Sequence, residues 1–353
     1  MEAIARLSAS DRRELFAAVA SDPKGALPRP VAVEIIEKDA WVCFALQRVF
    51  KLSQLRGTGN EPSIVFKGGT SLSKAYALIR RFSEDIDLTI DPALFGVTLA
   101  ASTASKNQHR KQLEAANAGC DAFVSGPLCK ALDGDISSIL GESGWVTPAP
   151  GDPSTLLFAY PGPSRRSYGY VPPTVRLEFG ARSEREPSVV RPIVAYAAQA
   201  RPDAGLGSAF EVPVLAVERT FWEKATILHA ENSRARKPGD GPAHKWARYS
   251  RHVSDLATMA AADVATAAIA NEELLRRVCD CKEARFHAAY VNYGEIGLAN
   301  IEVMPRGPLA VALAADYAAM RGMFFEDPPP WDEVMERISA LETRIHGVTR
   351  RTT

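Results

Sequence analysis

Two aspartates separated by one residue, Asp85 and Asp87, have the clearest potential for chemistry in this sequence. The stretch 85–90 alternates between polar and aliphatic residues, which predicts a half-buried strand with both acids on one face. Two carboxylates on one strand face can bind one or two Mg²⁺ ions, or Mn²⁺, that also contact nucleotide phosphates. An isolated Asp-x-Asp is weak evidence, because two surface acids on an edge strand show the same pattern.

A double glycine, Gly68 and Gly69, precedes the acid pair. It follows a short apolar run at 63–66, and the spacing of apolar residues after it predicts a helix over 70–82. In such a strand, turn and helix, the glycines let the backbone approach a phosphate, and the start of the helix offers free N–H groups. Together with the acid pair, this arrangement predicts a site for a nucleoside triphosphate (NTP).

The two blocks, Phe66-Lys-Gly-Gly-Thr-Ser-Leu-Ser-Lys74 and Arg81-Phe-Ser-Glu-Asp-Ile-Asp-Leu88, resemble the signature of the AbiEii/MenT group of toxin nucleotidyltransferases, within the DNA polymerase β-like superfamily. The resemblance implies a two-lobed protein whose active site combines a Gly-Gly-Thr/Ser turn, an Asp-x-Asp pair, a later lysine and a later aspartate. It assigns nucleotide binding to Lys67, Gly68, Gly69, Thr70 and Ser83. The stretch between Thr70 and Asp85 is longer than in minimal members of the superfamily, so an added helical turn is predicted.

Two downstream segments extend the resemblance over residues 60–260, and the first of them, 218–229, contains Lys224. On a helical wheel Lys224 lies among apolar residues, so its ammonium is predicted to point inward and to require an anionic partner. One interpretation is a structural lysine that snorkels from the edge of the apolar stripe. The other, implied by the family, is a catalytic charge that neutralises the triphosphate or the leaving pyrophosphate.

The second segment, 248–256, is predicted to be helical and mixes both signs of charge. Arg248, Arg251, His252 and Asp255 fall within about a third of the wheel. One interpretation is a solvated face on which Arg251 and Asp255 form an i,i+4 ion pair. The other, favoured by the resemblance, is that Asp255 completes the catalytic constellation and the arginines contact phosphate.

A third carboxylate is predicted on a second strand. Residues 174–180 alternate, and Glu178 lies on the polar face. Polymerase-type nucleotidyltransferases often carry a carboxylate there, as a general base or a metal ligand. The alternative is a simple ion pair, because Arg176 occupies the same face.

A basic segment follows Lys224. Between residues 234 and 251, six basic residues stand against Asp240, a net charge of +5. This density predicts contact with an RNA backbone, whereas the alternative is a solvated loop. The predicted RNA-binding residues are Arg234, Arg236, Lys237, Lys245, Arg248 and Arg251.

The elements that must position these residues indicate an α/β (α+β) protein. Helices are predicted over 30–51, 214–231 and 246–259, and in Ala-rich segments as far as residue 346. Residues 100–170 mix Gly, Ser and Pro with weak periodicity, which predicts loops and insertions. We therefore expect an N-terminal nucleotidyltransferase lobe at 1–213, with a mixed sheet flanked by helices, and a mainly helical lobe at 214–353 that contributes the lysine and aspartate motifs.

Composition restricts the partners and the compartment. Lys plus Arg and Asp plus Glu number 42 each in 353 residues, so a polyanion must be bound by a local basic patch. The five cysteines are thinly spread and lack the usual zinc spacing. Neither a signal peptide nor an apolar run of about 18 residues is evident. These features predict a reduced, cytoplasmic protein without a membrane partner.

Three functions from different classes fit these residues: an RNA-directed nucleotidyltransferase toxin, a nucleotidyl- or phosphotransferase acting on a protein or small molecule, and a nucleotide-binding module without turnover. In the favoured mechanism a substrate hydroxyl attacks the α-phosphate of an NTP, metal held by Asp85 and Asp87 stabilises the entering and leaving oxygens, and pyrophosphate leaves. The resemblance implies RNA as acceptor, with a tRNA 3′ end expected, and a cognate antitoxin encoded separately.

Overall fold

The strands form one mixed sheet. The computed structural model describes residues 1–57, 61–98, 106–162, 174–237, 246–286 and 288–349. Within these ranges the strands are β1 Ile64–Lys67, β2 Ile86–Ile90, β3 Val146–Ala149, β4 Asp152–Phe158, β5 Val175–Gly180, β6 Ser188–Ile193 and β7 Phe210–Leu215. Their order across the sheet is β3-β4-β5-β2-β1-β7-β6. Strand β1 pairs antiparallel with β2 and parallel with β7, while β2 pairs parallel with β5.

The chain divides into two compact units. The first comprises residues 1–77, 81–99 and 111–215, and the second comprises 78–80, 100–110 and 216–353. Helices wholly or mostly in the first unit are α1 Glu2–Arg6, α2 Ala9–Ser21, α3 Val33–Lys51, α4 Gly68–Lys74, α5 Lys106–Phe123, α6 Cys129–Leu140 and α7 Tyr196–Ala200. Helix α3 packs on β5, and α4 packs on β1 and β2. A mixed sheet with flanking helices confirms the predicted fold class.

Helix α3 supplies much of the core of the first unit. All but four of its residues are buried, and Trp41 contacts Phe44 edge to face at a centroid distance of 5.6 Å. Trp41 also stacks on Tyr160 at 5.8 Å. The predicted helix is therefore present, although it begins at Val33 and Pro30 lies before it.

The helix after the glycine turn is much shorter than predicted. Helix α4 ends at Lys74, and at Ala77 the backbone turns into the left-handed region with φ of 51°. Ile79 and Phe82 are nonetheless buried. Their burial in irregular chain reproduces the apolar spacing of a helix, so the predicted extension to Phe82 and the added turn are both wrong.

The prediction of loops throughout 100–170 is also wrong. Helices α5 and α6 occupy much of this stretch, joined by a π-helical turn at Val124–Leu128 that contains Pro127. The π turn accommodates the proline inside otherwise continuous helix. Between Gly141 and residue 162 the regular elements are the short strands β3 and β4. Residues 163–173 lie outside the described ranges.

The second unit is mainly helical. Its helices are α8 Val217–Ala235, α9 Ser250–Ala260, α10 Asp263–Ala270, α11 Glu272–Arg285, α12 Gly307–Ala319 and α13 Trp331–Thr349. Two predicted starts are wrong, because Val214 belongs to β7 and α9 begins four residues after Trp246. In the described part of the chain no single helix is long and apolar enough to cross a membrane, while α9 and α10, bent by 91°, meet that test as a pair.

Candidate active site

The glycine turn and the second aspartate are in direct contact. Strand β1 ends at Lys67, and α4 begins at Gly68 with φ of 78°, a conformation that L side chains rarely adopt. A Cβ on Gly68 would collide with the Asp87 carboxylate. Only glycine therefore lets Asp87 lie against the backbone of the turn.

Side chains of the second block line the other glycine. A Cβ on Gly69 would lie 2.9 Å from Ser83 Oγ and 3.1 Å from Arg81 Nη2. The Thr70 hydroxyl lies 2.9 Å from Ser83 Oγ and donates to the Asp85 carbonyl. The structure thus brings four predicted nucleotide-binding residues together.

Sequence reasoning missed Arg81. Its side chain is buried, and Nη1 donates to the Phe82 carbonyl at 3.2 Å. The signal was a basic residue that opens the second block, directly before Phe82 and Ser83. A buried guanidinium beside Gly69 would place a fixed positive charge next to a phosphate bound at this turn.

The acids share a row across the sheet. Asp87 in β2 is in register with Lys67 in β1 and with Glu178 in β5, and residues in register point to the same face. Asp85 immediately precedes β2. The polar face is shorter than predicted, because Thr89, two residues beyond Asp87, is 1% exposed.

The flanking members of this row have local partners. Arg176 Nε lies 3.2 Å from Glu178 Oε1, with both side chains about 40% exposed. Lys67 Nζ donates to Ser183 Oγ at 3.0 Å. The ion pair foreseen as the alternative for Glu178 is therefore present, and its catalytic role stays a prediction.

The donor set fits a divalent cation shared with a nucleotide. Asp85 and Asp87 offer carboxylate oxygens, the ligands that Mg²⁺ and Mn²⁺ prefer, and Asp87 lies at the turn that a phosphate would approach. Among the residues described, no three His, Cys, Asp or Glu side chains form a metal-binding group. Water and phosphate oxygens would complete the coordination, as is usual for Mg²⁺.

In the second unit, Lys224 and Asp255 form an ion pair. Lys224 Nζ lies 3.0 Å from Asp255 Oδ2, with 7% and 1% of the two side chains exposed. Lys224 points inward as predicted, and Asp255 is an anionic partner. The structure joins the two predicted catalytic residues of this unit to each other.

The predicted helical face of charges is only partly present. Arg248 lies before α9, with φ of 67°, so it does not share the helix with Arg251 and Asp255. Its N–H donates to Asp316 Oδ1 at 2.7 Å. The polar face that α9 does carry begins at Ser250.

Three basic residues of the segment 234–251 make contacts within their own unit. Arg236 lies 2.9 Å from Glu302, and Lys237 Nζ donates to the Ala289 carbonyl at 2.6 Å. Arg234 lies 3.8 Å from Glu231 and 5.5 Å from the Tyr290 ring centroid. Arg234 belongs to α8, and Arg236 and Lys237 follow its end, so the helix extends four residues beyond the predicted end at residue 231. Lys245 lies outside the described residues.

Comparison with known proteins gives a family match and a structural likeness. The model of the AbiEii family, described as nucleotidyl transferase AbiEii toxin of type IV toxin-antitoxin systems, matches residues 52–337. Among solved structures, MenT4, a nucleotidyltransferase toxin from Mycobacterium tuberculosis, is 17% identical with a TM-score of 0.40, over 96% of this chain and 97% of that chain. No curated protein matches the sequence. The residues matched by the family model include both motif blocks and the Lys224–Asp255 pair.

Proposed function

Because the chain belongs to the AbiEii family of nucleotidyl transferase toxins of type IV toxin-antitoxin systems, we propose that it transfers a nucleoside monophosphate from an NTP to a hydroxyl group of RNA. The expected acceptor is a tRNA 3′ end, and blocked translation is the expected result. A cognate antitoxin, encoded separately, is the expected partner.

The contact between Gly68 and Asp87 is the observation that carries this proposal. It brings a side-chain-free backbone turn and a carboxylate to one place. The turn suits the phosphates of an NTP, while the carboxylate suits the cation that accompanies them. The buried Arg81 guanidinium beside Gly69 adds a positive charge at the same turn.

Residues of the first unit have separate roles in the proposed reaction. Gly68, Gly69 and Thr70 position the triphosphate, while Asp85 and Asp87 hold Mg²⁺ or Mn²⁺. When bound, the cation neutralises phosphate charge. Glu178 accepts the proton of the attacking hydroxyl group while the hydroxyl oxygen bonds to the α-phosphorus. The bond between the α-phosphorus and the bridging oxygen of the β-phosphate breaks, and pyrophosphate leaves with the electron pair.

The roles of Lys224 and Asp255 are proposed from the family resemblance. Lys224 is assigned the neutralisation of the triphosphate or the leaving pyrophosphate. The Asp255 carboxylate, 3.0 Å from the ammonium, holds that side chain in one orientation. Because the side chain is already fixed, less conformational entropy is lost when the Lys224 ammonium interacts with phosphate.

Label transfer tests the reaction. The protein is incubated with total RNA and each α-³²P NTP in turn, with Mg²⁺, with Mn²⁺ and with chelator. We expect one or a few RNA species to become labelled in a metal-dependent manner, and the Asp87→Asn variant to transfer no label. Label that appears on protein or on a small molecule would instead support the second candidate, which the engagement of Arg236 and Lys237 inside their own unit favours.

Salt dependence tests the RNA-binding residues. If Arg234, Arg236 and Lys237 contact phosphates, replacing all three with Gln flattens the slope of log affinity against log salt by about two units, at about 0.7 per contact with single-stranded RNA. NTP affinity is expected to stay the same. A matched control replaces the exposed Arg6, Arg13 and Arg29 of the first unit with Gln. Equal slopes for the two triple variants would remove this segment from the RNA site.

A further inference from the structure

Helix α3 carries two adjacent charged residues in the core of the first unit. Lys38 is 1% exposed and Asp39 is 3% exposed. Successive residues of a helix project about 100° apart, so the two side chains reach different neighbours. A buried charge is unfavourable unless it is paired, and each of the two has a partner in the nucleotide motif.

Lys38 binds the segment that leads into the acid pair. Its Nζ lies 2.7 Å from Glu84 Oε2. Glu84 is itself buried and immediately precedes Asp85. This ion pair therefore anchors the chain just before β2 begins.

Asp39 binds the helix that starts at the glycine turn. Its Oδ1 lies 2.7 Å from Nζ of Lys74, the last residue of α4. Its Oδ2 accepts the N–H of Tyr196 at 2.7 Å, and the Lys74 ammonium lies 3.6 Å from the Tyr196 ring centroid. Burial lowers the pKa of Lys74, but the Asp39 carboxylate, together with Cys43 and Tyr196, outweighs burial and raises the pKa, so the ammonium stays charged.

Regular structure does not connect the two anchored points. Helix α4 ends at Lys74 and β2 begins at Ile86, and residues 75–85, all of them described, contain no helix or extended strand. The relative placement of the glycine turn and the acids must therefore come from tertiary contacts. Helix α3 supplies the cation of one pair and the anion of the other. Lys38 therefore cannot pair with Lys74, and Asp39 cannot pair with Glu84.

We propose that Lys38 and Asp39 are positioning residues for nucleotidyl transfer, holding the glycine turn and the Asp85–Asp87 pair at a fixed separation through two ion pairs from one helix. The catalytic part of this inference rests on the proposed function. Both side chains are buried and therefore not accessible to a nucleotide. Lys38 acts through Glu84 on the acid pair, and Asp39 acts through Lys74 on the helix that begins at the glycine turn.

Single replacements give the first test. In Asp39→Asn and Lys38→Met we expect kcat to fall about 100-fold, as for a misplacement of about 1 Å. The KM for NTP is expected to change by less than about threefold, because each segment keeps its own ground-state contacts while their relative placement suffers. The charge-exchanged variant Lys38→Glu with Glu84→Lys is expected to recover part of the lost kcat.

A second variant addresses folding. The double variant Lys38→Met with Glu84→Met removes the pair without leaving a lone buried charge, so it is expected to fold even where a single variant does not. The matched control is Arg48→Met, because Arg48 pairs with Asp135 in α6 from the same helix α3. That control is expected to lower the melting temperature while kcat per folded molecule stays the same.

Hydrogen exchange separates this inference from the proposed function. In the double variant we expect the backbone amides of residues 68–71 and 85–88 to exchange at least tenfold faster, while those of α6 are unchanged. Unchanged exchange, or faster exchange with wild-type kcat, would overturn the inference. If the wild type transfers no label to any acceptor, the proposed function fails, and the exchange rates alone then support or overturn the positioning role.

Discussion

At the scale of single residues, Gly68 combines two constraints that can be separated. In Gly68→Ala the new Cβ meets both an unfavourable φ, which costs about 1–2 kcal/mol, and the Asp87 carboxylate. We expect transfer to fall by at least about 100-fold, since the carboxylate or the turn must move. The measurement is kcat per folded molecule beside the free energy of unfolding.

Gly96→Ala is the control for this variant. Gly96 has φ of 69°, and a Cβ at this position would meet no neighbouring atom within 4 Å, so the variant carries the conformational strain without the collision. We expect a similar loss of stability and wild-type transfer. Equal transfer by both variants would show that the contact between Gly68 and Asp87 has no role in catalysis.

Removal of Lys224 alone is expected to destabilise the second unit. Lys224→Met leaves the Asp255 carboxylate buried without this partner, a change that costs about 3–5 kcal/mol. The double variant Lys224→Met with Asp255→Leu is expected to regain most of that stability and to remain inactive. Denaturant unfolding and label transfer, measured on both, distinguish the roles: a double variant with wild-type transfer would make the pair purely structural.

At the scale of elements, the start of α9 depends on a side chain from α12. Asp316 accepts the N–H groups of Arg248 at 2.7 Å and Ser250 at 2.9 Å, together with the Ser250 hydroxyl. It therefore caps a helix whose own N-cap residue, Tyr249, makes no side-chain cap. We expect Asp316→Ala to cost about 1–2 kcal/mol of unfolding free energy.

Asp316→Asn is the matched variant for that cap. It retains one of the two acceptor oxygens and loses both the other acceptor and the charge that favours a helix N-terminus, so a cost smaller than that of Asp316→Ala is expected. Hydrogen exchange at the first turn of α9 locates the effect. An Asp316→Ala variant as stable as the wild type would contradict the capping role.

Elements with strong local patterns were predictable from the sequence, and those set by tertiary contacts were not. The alternation at 174–180 and the run at 63–66 correspond to β5 and β1 within one residue. The end of α4 was missed because Ile79 and Phe82 are buried without being helical. Apolar spacing reports burial, and burial alone does not distinguish a helix from irregular chain.

The candidate site shows the same limit. The glycines and acids were recognisable because their types and spacing carry the chemistry locally. The partners of Lys38 and Asp39 lie 46 and 35 residues away, and no local pattern indicates such pairing. Arg81 was adjacent to a recognised motif, yet its burial beside Gly69 required the fold.

At the scale of the whole molecule, one buried titratable group in each unit is expected to make stability depend on pH, and the two dependences have opposite signs. Burial raises the pKa of Glu37 to about 7, against the opposing charge of Arg12. The folded first unit then retains a proton that the unfolded chain releases from about pH 4.5. The contribution of Glu37 to the stability of the first unit therefore falls as pH rises from about 4.5 through 7.

His229 in the second unit is expected to give the opposite dependence of stability on pH. Burial lowers its pKa below the usual 6.5, and its Nδ1 accepts the Glu302 N–H at 3.0 Å. As pH falls, the unfolded chain binds a proton at His229 at a higher pH than the folded chain does. The contribution of His229 to stability is therefore complete above pH 6.5 and is lost as pH falls below it.

Hydrogen exchange of the slowest amides in each unit, between pH 5 and 8, measures the two dependences separately. Glu37→Gln is expected to flatten the decline in the first unit. His229→Asn, which retains an acceptor, is expected to flatten the rise in the second. Identical pH profiles for both units in the wild type would contradict these assignments.

The parallel pairing of β1 with β7 has a consequence for the order in which the protein is made. Phe66 is in register with Val214, roughly 150 residues later in the chain. At about 5–20 residues per second on the ribosome, β7 follows β1 by roughly 7–30 s. Until then the strand that ends at the glycine turn has one open edge. A nascent or prematurely terminated chain that stops before Phe210 therefore lacks the completed sheet, so we expect nucleotide binding to be a late event of synthesis.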